Sequence, residues 1–289
     1  MTVTTLGPAT LPQLSLKLGE QRLDITTRAV VMGILNRTPD SFYDQGATFA
    51  FDAFLQKAES HVLSGADLLD VGGVKAGPGE EVSEAEELDR VVAAVAALVE
   101  RFDVPISVDT WRASVAEACY AQGEVVGNDI SGFGDPRYLE VAAAADATVI
   151  ATHIRLKPRV ADPTPVYKDL VGDIEAFLLE RVERALALGM KPDSIVIDAG
   201  LDLGKTAEQS AELLGASSRL ASLGYPLLLS ASNKTFLGVA FDLEVGDRAE
   251  ASWSANAMGI WLGCRILRVH DVASTVQARD SIEAILESR

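Results

Sequence analysis

The stretch ADLLDVGGVKAGPGE, residues 66–80, reads as a short buried strand at 67–71, built on Leu68-Leu69 and carrying Asp70 near its carboxyl end. It opens through Gly72-Gly73 into a loop of glycine and proline. Outward from it, the same unit recurs along the chain. The apolar run at 29–35 leads to Asn36, Thr38 and Asp40, the run at 104–108 to Asp109, and 124–127 to Asn128 and Asp129. Further on, 147–151 leads to Thr152 and His153, 194–197 to Asp198, 226–229 to Ser230, Ser232 and Lys234, and 265–269 to His270 and Asp271. Helical periodicity lies between the runs, over 49–64, 83–99, 111–122, 136–145, 168–189, 206–223, 247–262 and 272–286. Ser83 and Glu86 have the spacing of a capping box. Eight continuous apolar runs alternating with helices predict a parallel sheet covered on both faces. That count favours an α/β fold of the closed (β/α)8 TIM-barrel type over an open doubly wound sheet. No G-x-G-x-x-G follows the first run and no P-loop is present. The expected organisation is an N-terminal extension at 1–28, with a hairpin around Gly19-Glu20, and one barrel domain at 29–289.

Charge and composition narrow the function. With 42 acidic against 25 basic residues the net charge is −17, which argues against nucleic acid or an anionic membrane surface as partner. A hydrophobic content of 48% supplies a large core and excludes whole-chain disorder. Cys119 and Cys264 stand far apart, so neither a zinc site nor a disulfide framework is expected, and a reducing cytoplasm is the simplest compartment. No apolar run approaches a membrane span and no leader pattern opens the chain. A small molecule is the expected partner.

In a barrel of this kind the loops after the strands form the active face. They gather Asn36, Asp70, Asp109, Asn128, His153, Asp198, Lys234 and His270. Singly, an Asp after a strand is more often the N-cap of the next helix, and Asp109 and Asp129 both compete with that reading. Convergence on one rim is harder to explain as capping. Carboxylates, amides and one lysine suit a neutral, planar, hydrogen-bonding ring, whose amidine edge can place two N–H groups on one carboxylate. Arg268 and His270, with Asn36, suit an anionic leaving group. His61 falls within a helical pattern and is expected on the surface. No G-x-S-x-G is present and no cysteine ends a strand, so a nucleophilic triad is not expected.

Seven ordered blocks carry a family resemblance: MGILNRTPDSF at 32–42, DVGG at 70–73, SVDT at 107–110, NDISG at 128–132, DAG at 198–200, SNKTF at 232–236 and RVHDV at 268–272. Together they resemble dihydropteroate synthase, over about residues 29–280, within the wider pterin-binding superfamily. The resemblance implies transfer of a dihydropterin from its pyrophosphate to 4-aminobenzoate in folate biosynthesis. It implies that Asp109, Asn128, Asp198 and Lys234 hold the pterin, with Lys234 and Asp109 as the catalytic pair. It further implies that Asn36, Arg268 and His270 hold the pyrophosphate, that Asn36 lies near a Mg²⁺, and that the chain forms a homodimer.

The departures from the family pattern cluster. After DVGG the family reads Glu-Ser-Thr-Arg-Pro-Gly, whereas here Ala76 and Gly77 stand for the Thr and Arg. Asn233 replaces the Arg of a Ser-Arg-Lys block. Ala199, Asp202 and Leu203 replace Pro, Gly and Phe in the block after the sixth run, and Arg37 stands where an apolar residue is usual. Losing two arginines while gaining Asp202 disfavours a carboxylate co-substrate. The expected protein keeps the pterin and pyrophosphate side, has an eroded 4-aminobenzoate side, and is weak or inactive as a synthase. The alternatives are a working synthase with variant loops and a pterin- or folate-dependent methyltransferase-type enzyme.

Overall fold

Each apolar run forms a strand because β-branched and leucine side chains can be buried on both faces of a covered sheet. The computed structural model describes residues 8–37 and 47–288. Thr38 and Asp40, with the rest of the block that follows Arg37, lie outside the described residues. A two-stranded antiparallel hairpin comes first, β1 (Ser15–Leu18) and β2 (Gln21–Asp24), with Leu16 opposite Leu23. Eight parallel strands follow: β3 (Val30–Asn36), β4 (Leu68–Gly72), β5 (Ile106–Asp109), β6 (Val125–Asp129), β7 (Val149–Thr152), β8 (Ile195–Asp198), β9 (Leu227–Leu229) and β10 (Ile266–Val269). They close in sequence order, β10 pairing with both β3 and β9, so the fold is a (β/α)8 barrel.

Period-two alternation explains the interior. Leu68, Val126, Ile150, Val196, Leu228 and Ile266 point inward and form one buried layer with Val30 and Met32. Leu14, Leu16, Leu18 and Ile25 of the hairpin segment join this same cluster, so the hairpin plugs the amino-terminal end of the barrel. Burying each such side chain stabilises the fold by about 1.5–3 kcal/mol. Lys17 is also buried at this end, its ammonium 2.6 Å from Asp146. The larger apolar cluster lies between the barrel wall and the helices.

The helices are α1 (Ala47–Leu63), α2 (Glu84–Arg101), α3 (Ala113–Tyr120), α4 (Tyr138–Ala144), α5 (Leu170–Ala187), α6 (Ala207–Gly215), α7 (Ser217–Ala221), α8 (Thr235–Phe241), α9 (Ala249–Trp261) and α10 (Val272–Glu287). The helix expected at 206–223 is two, interrupted at Ala216, and a 3₁₀ turn at Val245–Asp247 precedes α9. α8 has no counterpart among the expected helices. It is seven residues long and contains Gly238, and its first amides are capped by Asp202, more than thirty residues earlier in the chain. The expected capping box at α2 is half formed: Ser83 Oγ accepts from the Glu86 amide at 3.2 Å, while the Glu86 carboxylate pairs with Arg90. His61 corrects a sequence expectation. It is buried, with Nε2 3.2 Å from the Ile34 carbonyl, because Gly33 leaves room where a Cβ would meet the imidazole at 3.0 Å.

Gly73 shows why the strand of the opening stretch ends as it does. A Cβ there would lie 2.5 Å from Val91 Cγ2 on α2, too close for the helix to keep its place. Gly73→Ala is expected to lower stability by about 1–3 kcal/mol through overpacking, read as a lower urea midpoint at unchanged slope.

Candidate active site

Two residues further along each strand, the inward positions change from apolar to polar. Asp70 follows Leu68, Asn128 follows Val126, Thr152 follows Ile150, Asp198 follows Val196 and Arg268 follows Ile266. Sealed below by the apolar layer, these groups must satisfy one another. Asp70 is fully buried and accepts from Ser107 Oγ at 2.7 Å, Arg268 Nε at 2.6 Å and Asn128 Nδ2 at 3.3 Å. Arg268 reaches from β10 past β3 and also donates from Nη2 to Asp109 at 2.8 Å. Asp109 therefore does not cap α3, whose N-cap is Arg112 without a side-chain bond. Asp129 does not cap the next helix either, since α4 has Arg137 as its N-cap without a side-chain bond; it closes the turn after β6, accepting from the amides of Ser131 at 2.7 Å and Phe133 at 2.9 Å.

The electrostatics follow from burial. Burial pushes the Asp109 carboxyl up to about 7, the Arg268 charge opposing this and Asp70 adding to it. Burial also raises Asp198, which accepts from the Gly200 amide at 2.8 Å and from the Thr152 hydroxyl at 3.4 Å. For Arg268 the burial penalty is outweighed by Asp70 and Asp109, so it stays charged. Lys234 is held below its ordinary value by burial, against the pull of Asp202 and Asp198, and donates to the Leu201 carbonyl at 2.9 Å. Burial and then Arg268 push His270 down to about 4, so its imidazole is neutral. Ser232 Oγ accepts from the His270 amide at 3.2 Å and lies 3.1 Å from Nδ1. With that hydroxyl donating to Nδ1, the ring proton sits on Nε2.

The structure thus bonds Asp70, Asp109, Asn128 and Arg268 into one network and sets Asp198 beside Lys234. Asn36 is half-buried at the end of β3, opposite Gly72. His153 stands apart from the rim. It is buried, its Nδ1 2.9 Å from Lys205 Nζ, and Lys205 also donates to the carbonyls of Gly200 at 2.8 Å and Leu203 at 3.0 Å. That cluster fixes the loop after β8.

The pterin binding enzyme family matches residues 32–270, from within β3 to His270. The chain belongs to that family. It is 38% identical over 274 residues to the dihydropteroate synthase of Clostridium beijerinckii, covering 94% of this chain and 99% of that one. It is also 38% identical over 269 residues to inactive dihydropteroate synthase 2 of Mycobacterium leprae, covering 91% and 92%. A crystal structure of the Yersinia pestis dihydropteroate synthase in a sulfonamide drug complex superposes with a TM-score of 0.89 at 38% identity, covering 96% of this chain and 100% of that one. This member of the dihydropteroate synthase family is as similar to a relative named inactive as to one named for the activity. Whole-chain likeness therefore does not separate the two outcomes, and local geometry has to.

Three departures from the family pattern, Asp202, Asn233 and Arg37, have local structural roles. Asp202 and Asn233 both hold left-handed backbone, φ 65° and 57°, which Asp and Asn tolerate better than most residues. Asp202 caps α8 and bonds Ser210, while Asn233 donates its amide to Ser252 and offers its carbonyl to Arg248. Arg37 lays its guanidinium over the Phe51 and Phe54 rings, at 5.2 and 5.5 Å from their centroids. Ser107, Lys205 and Arg159 are structural partners that sequence reading missed; Ser107 could have been found from its period-two place beside Asp109 on β5.

Proposed function

We propose that the polar layer binds a dihydropterin carrying a pyrophosphate, and that synthase turnover with 4-aminobenzoate is weak or absent. What carries the first half is the set Asp109, Asn128 and Asp198, of which Asn128 and Asp198 are buried and Asp109 keeps 14% of its side chain exposed, standing on an apolar floor at the carboxyl mouth of the barrel. Asp198 and Asp109 accept from the ring's N–H groups, Asn128 supplies a matched amide, and Lys234 lies beside them. Arg268 keeps its Nε bond to Asp70 and gives up Asp109 to the ligand, which turns its second nitrogen toward the pyrophosphate with His270 Nε2 and Asn36. Those donors stabilise the departing anion as the methylene–oxygen bond breaks and its electron pair leaves with the pyrophosphate. A working synthase would then form the carbon–nitrogen bond from the aniline lone pair and release a proton to water.

Mg²⁺ fits this donor set only together with its substrate. No cluster of three or more His, Cys, Asp or Glu suited to a metal occurs among the described residues. Asn36 offers one hard oxygen, and Mg²⁺ is commonly held by few protein oxygens plus phosphates and waters. When bound, it would neutralise charge on the pyrophosphate.

The second half rests on Ala76 and Gly77, whose own side chains carry no charge in the loop after β4. A Cβ at Gly77 would meet nothing within 4 Å, so that position offers the co-substrate neither charge nor packing. Calorimetry with the dihydropterin pyrophosphate and Mg²⁺ is expected to show saturable binding, and no binding would overturn the pterin reading. A synthase assay with 4-aminobenzoate is expected to run roughly a hundredfold or more below the Clostridium beijerinckii enzyme, as loss of a charged contact of ~2–3 kcal/mol implies. Turnover equal to that enzyme's supports the alternative reading, a working synthase. Ala76→Thr with Gly77→Arg is expected to recover a large part of the deficit.

A further inference from the structure

Along the buried face of α2, Glu87, Val91, Ala94, Val95 and Leu98 follow helical spacing, and the first of them is a carboxylate. Glu87 is fully buried, so its charge has to be met inside the protein. One carboxylate oxygen accepts from Thr110 Oγ1 at 2.6 Å and the other pairs with Nη1 of Arg112. Thr110 directly follows Asp109 and is fully buried as well. Its amide donates to the Asn128 carbonyl at 3.0 Å, and its Oγ1 also accepts from the Arg112 amide at 3.3 Å. Arg112 donates from Nη2 to the Val82 carbonyl at 2.7 Å, just before α2 begins. Arg90, also on α2, donates from Nη1 to the Gly73 carbonyl at 2.8 Å. One helix end therefore grips the chain where it leaves β4 and again where it leaves β5, on either side of the polar layer.

Stability alone is a poor reason for such a pair. Desolvation offsets most of what a buried ion pair gains, and well-packed apolar side chains of the same volume often do as well. The charges around Asp109 suggest another use. Facing it are Arg268 from β10, Asp70 from β4, Glu87 from α2, Asp129 at the end of β6, Lys234 after β9 and Tyr138 of α4. Burial is the main reason its carboxyl is raised to about 7; Arg268 opposes the rise, and Asp70, Glu87 and Asp129 add to it. Glu87 thus brings a second negative charge against the ligand acceptor, and Arg112 is the cation that neutralises it. Cys119, the other titratable group that Glu87 acts on, is raised to about 12 by burial first and Glu87 second, so it stays a neutral thiol.

We propose that Glu87 and Arg112 are positioning residues for the ligand acceptor: Glu87 fixes the backbone that carries Asp109, and Arg112 balances the charge that Glu87 would otherwise set against it. This deepens the pterin reading above and rests on it. The first measurement is the titration midpoint of Asp109 in the ligand-free full chain, by carboxyl-carbon NMR of protein labelled with ¹³C-aspartate, the signal assigned by its loss in Asp109→Asn. Glu87→Gln keeps an oxygen for Thr110 and removes the charge, and it is expected to move the midpoint down by about half a pH unit or more. Arg112→Met leaves Glu87 unbalanced and is expected to move the midpoint up by about as much. Arg112→Lys, which keeps the charge, is expected to restore the wild-type midpoint. General loosening of the fold would let water reach Asp109 and lower the midpoint in both variants, so opposite shifts separate this role from a merely structural one. The second measurement is calorimetric titration with dihydropterin pyrophosphate and Mg²⁺ at pH 8. Thr110→Val, which keeps every charge and removes the hydroxyl that Glu87 holds, is expected to weaken binding about tenfold. Shifts in the same direction, no shift in either variant, or unchanged affinity in Thr110→Val would overturn the proposal. The NMR measurement needs no ligand, so failure of the wild-type chain to bind counts against the pterin reading, while the midpoints still decide whether Glu87 and Arg112 act on Asp109.

Discussion

Asp70→Ala is expected to lower the free energy of unfolding by about 3–5 kcal/mol, the cost of breaking a buried ion pair by removing one partner. Asp70 is fully buried and accepts three side-chain hydrogen bonds, from Ser107, Arg268 and Asn128. Without it, Arg268 keeps only Asp109, and the Ser107 hydroxyl and Asn128 amide lose an acceptor in a space closed by the apolar layer beneath. Asp70→Asn, which preserves shape, should lose less, because it can still accept from Ser107. Urea unfolding measures the difference directly, and a double-mutant cycle with Arg268→Met should give a coupling of about 1–3 kcal/mol. A loss below about 1 kcal/mol would mean that water reaches the pair, as it does in exposed ion pairs. Dihydropterin pyrophosphate binding should fall with stability, because Arg268 and Asn128 are aimed by the same carboxylate.

The role of Asp70 also shows how much of the site the sequence carried. The barrel was legible because each strand is an apolar run with a polar residue at its carboxyl end, and burial on both faces enforces that pattern locally. The run read at 124–127 is observed as Val125–Asp129, a shift that takes Asn128 and Asp129 into the last two positions of the strand. Direction was legible too: Leu68 and Asp70, or Ile266 and Arg268, share a side of the strand because side chains alternate. Pairing was not. Arg268 and Asp70 are 198 residues apart, and only closure of β10 onto β3 brings them together. The same reason hid Arg159, whose partners are backbone carbonyls about eighty residues earlier and leave no mark in side-chain type. His61 misled for the opposite reason. A titratable residue in a helical pattern reads as solvent-facing, and the space that admits it inward is a missing Cβ on another element, at Gly33.

Dihydropterin pyrophosphate affinity is expected to fall about tenfold as pH drops from 8 to 6, with Asp109 as the group responsible. Its carboxyl is raised to about 7 because it is buried and because one guanidinium is shared with Asp70. Only the ionised form accepts two N–H groups, and that form falls from about nine-tenths at pH 8 to about one-tenth at pH 6 for a group with this value. His270 and His153, held down to about 4 and about 3, stay neutral across the same range and contribute nothing to the slope. Asp129, raised to about 6 by burial, titrates inside its own loop against the Ser131 and Phe133 amides. Asp109→Asn separates these contributions. It should cost about a hundredfold in affinity at pH 8, as loss of a charge-assisted pair of ~2–3 kcal/mol implies, and it should abolish most of the pH dependence. Calorimetric titration of both proteins at pH 6, 7 and 8 is the measurement, and an unchanged slope in Asp109→Asn would assign the titration elsewhere. Stability should move the other way. A carboxyl raised in the folded state takes up a proton on folding, so its contribution is fully present below the ordinary carboxylate value and is lost as pH rises through about 7. Over that window wild-type stability should decline with pH more steeply than that of Asp109→Asn. The charge that would make Asp109 a ligand acceptor is the same charge that burial disfavours, so on this reading binding competence and folding stability are set against each other at one oxygen pair.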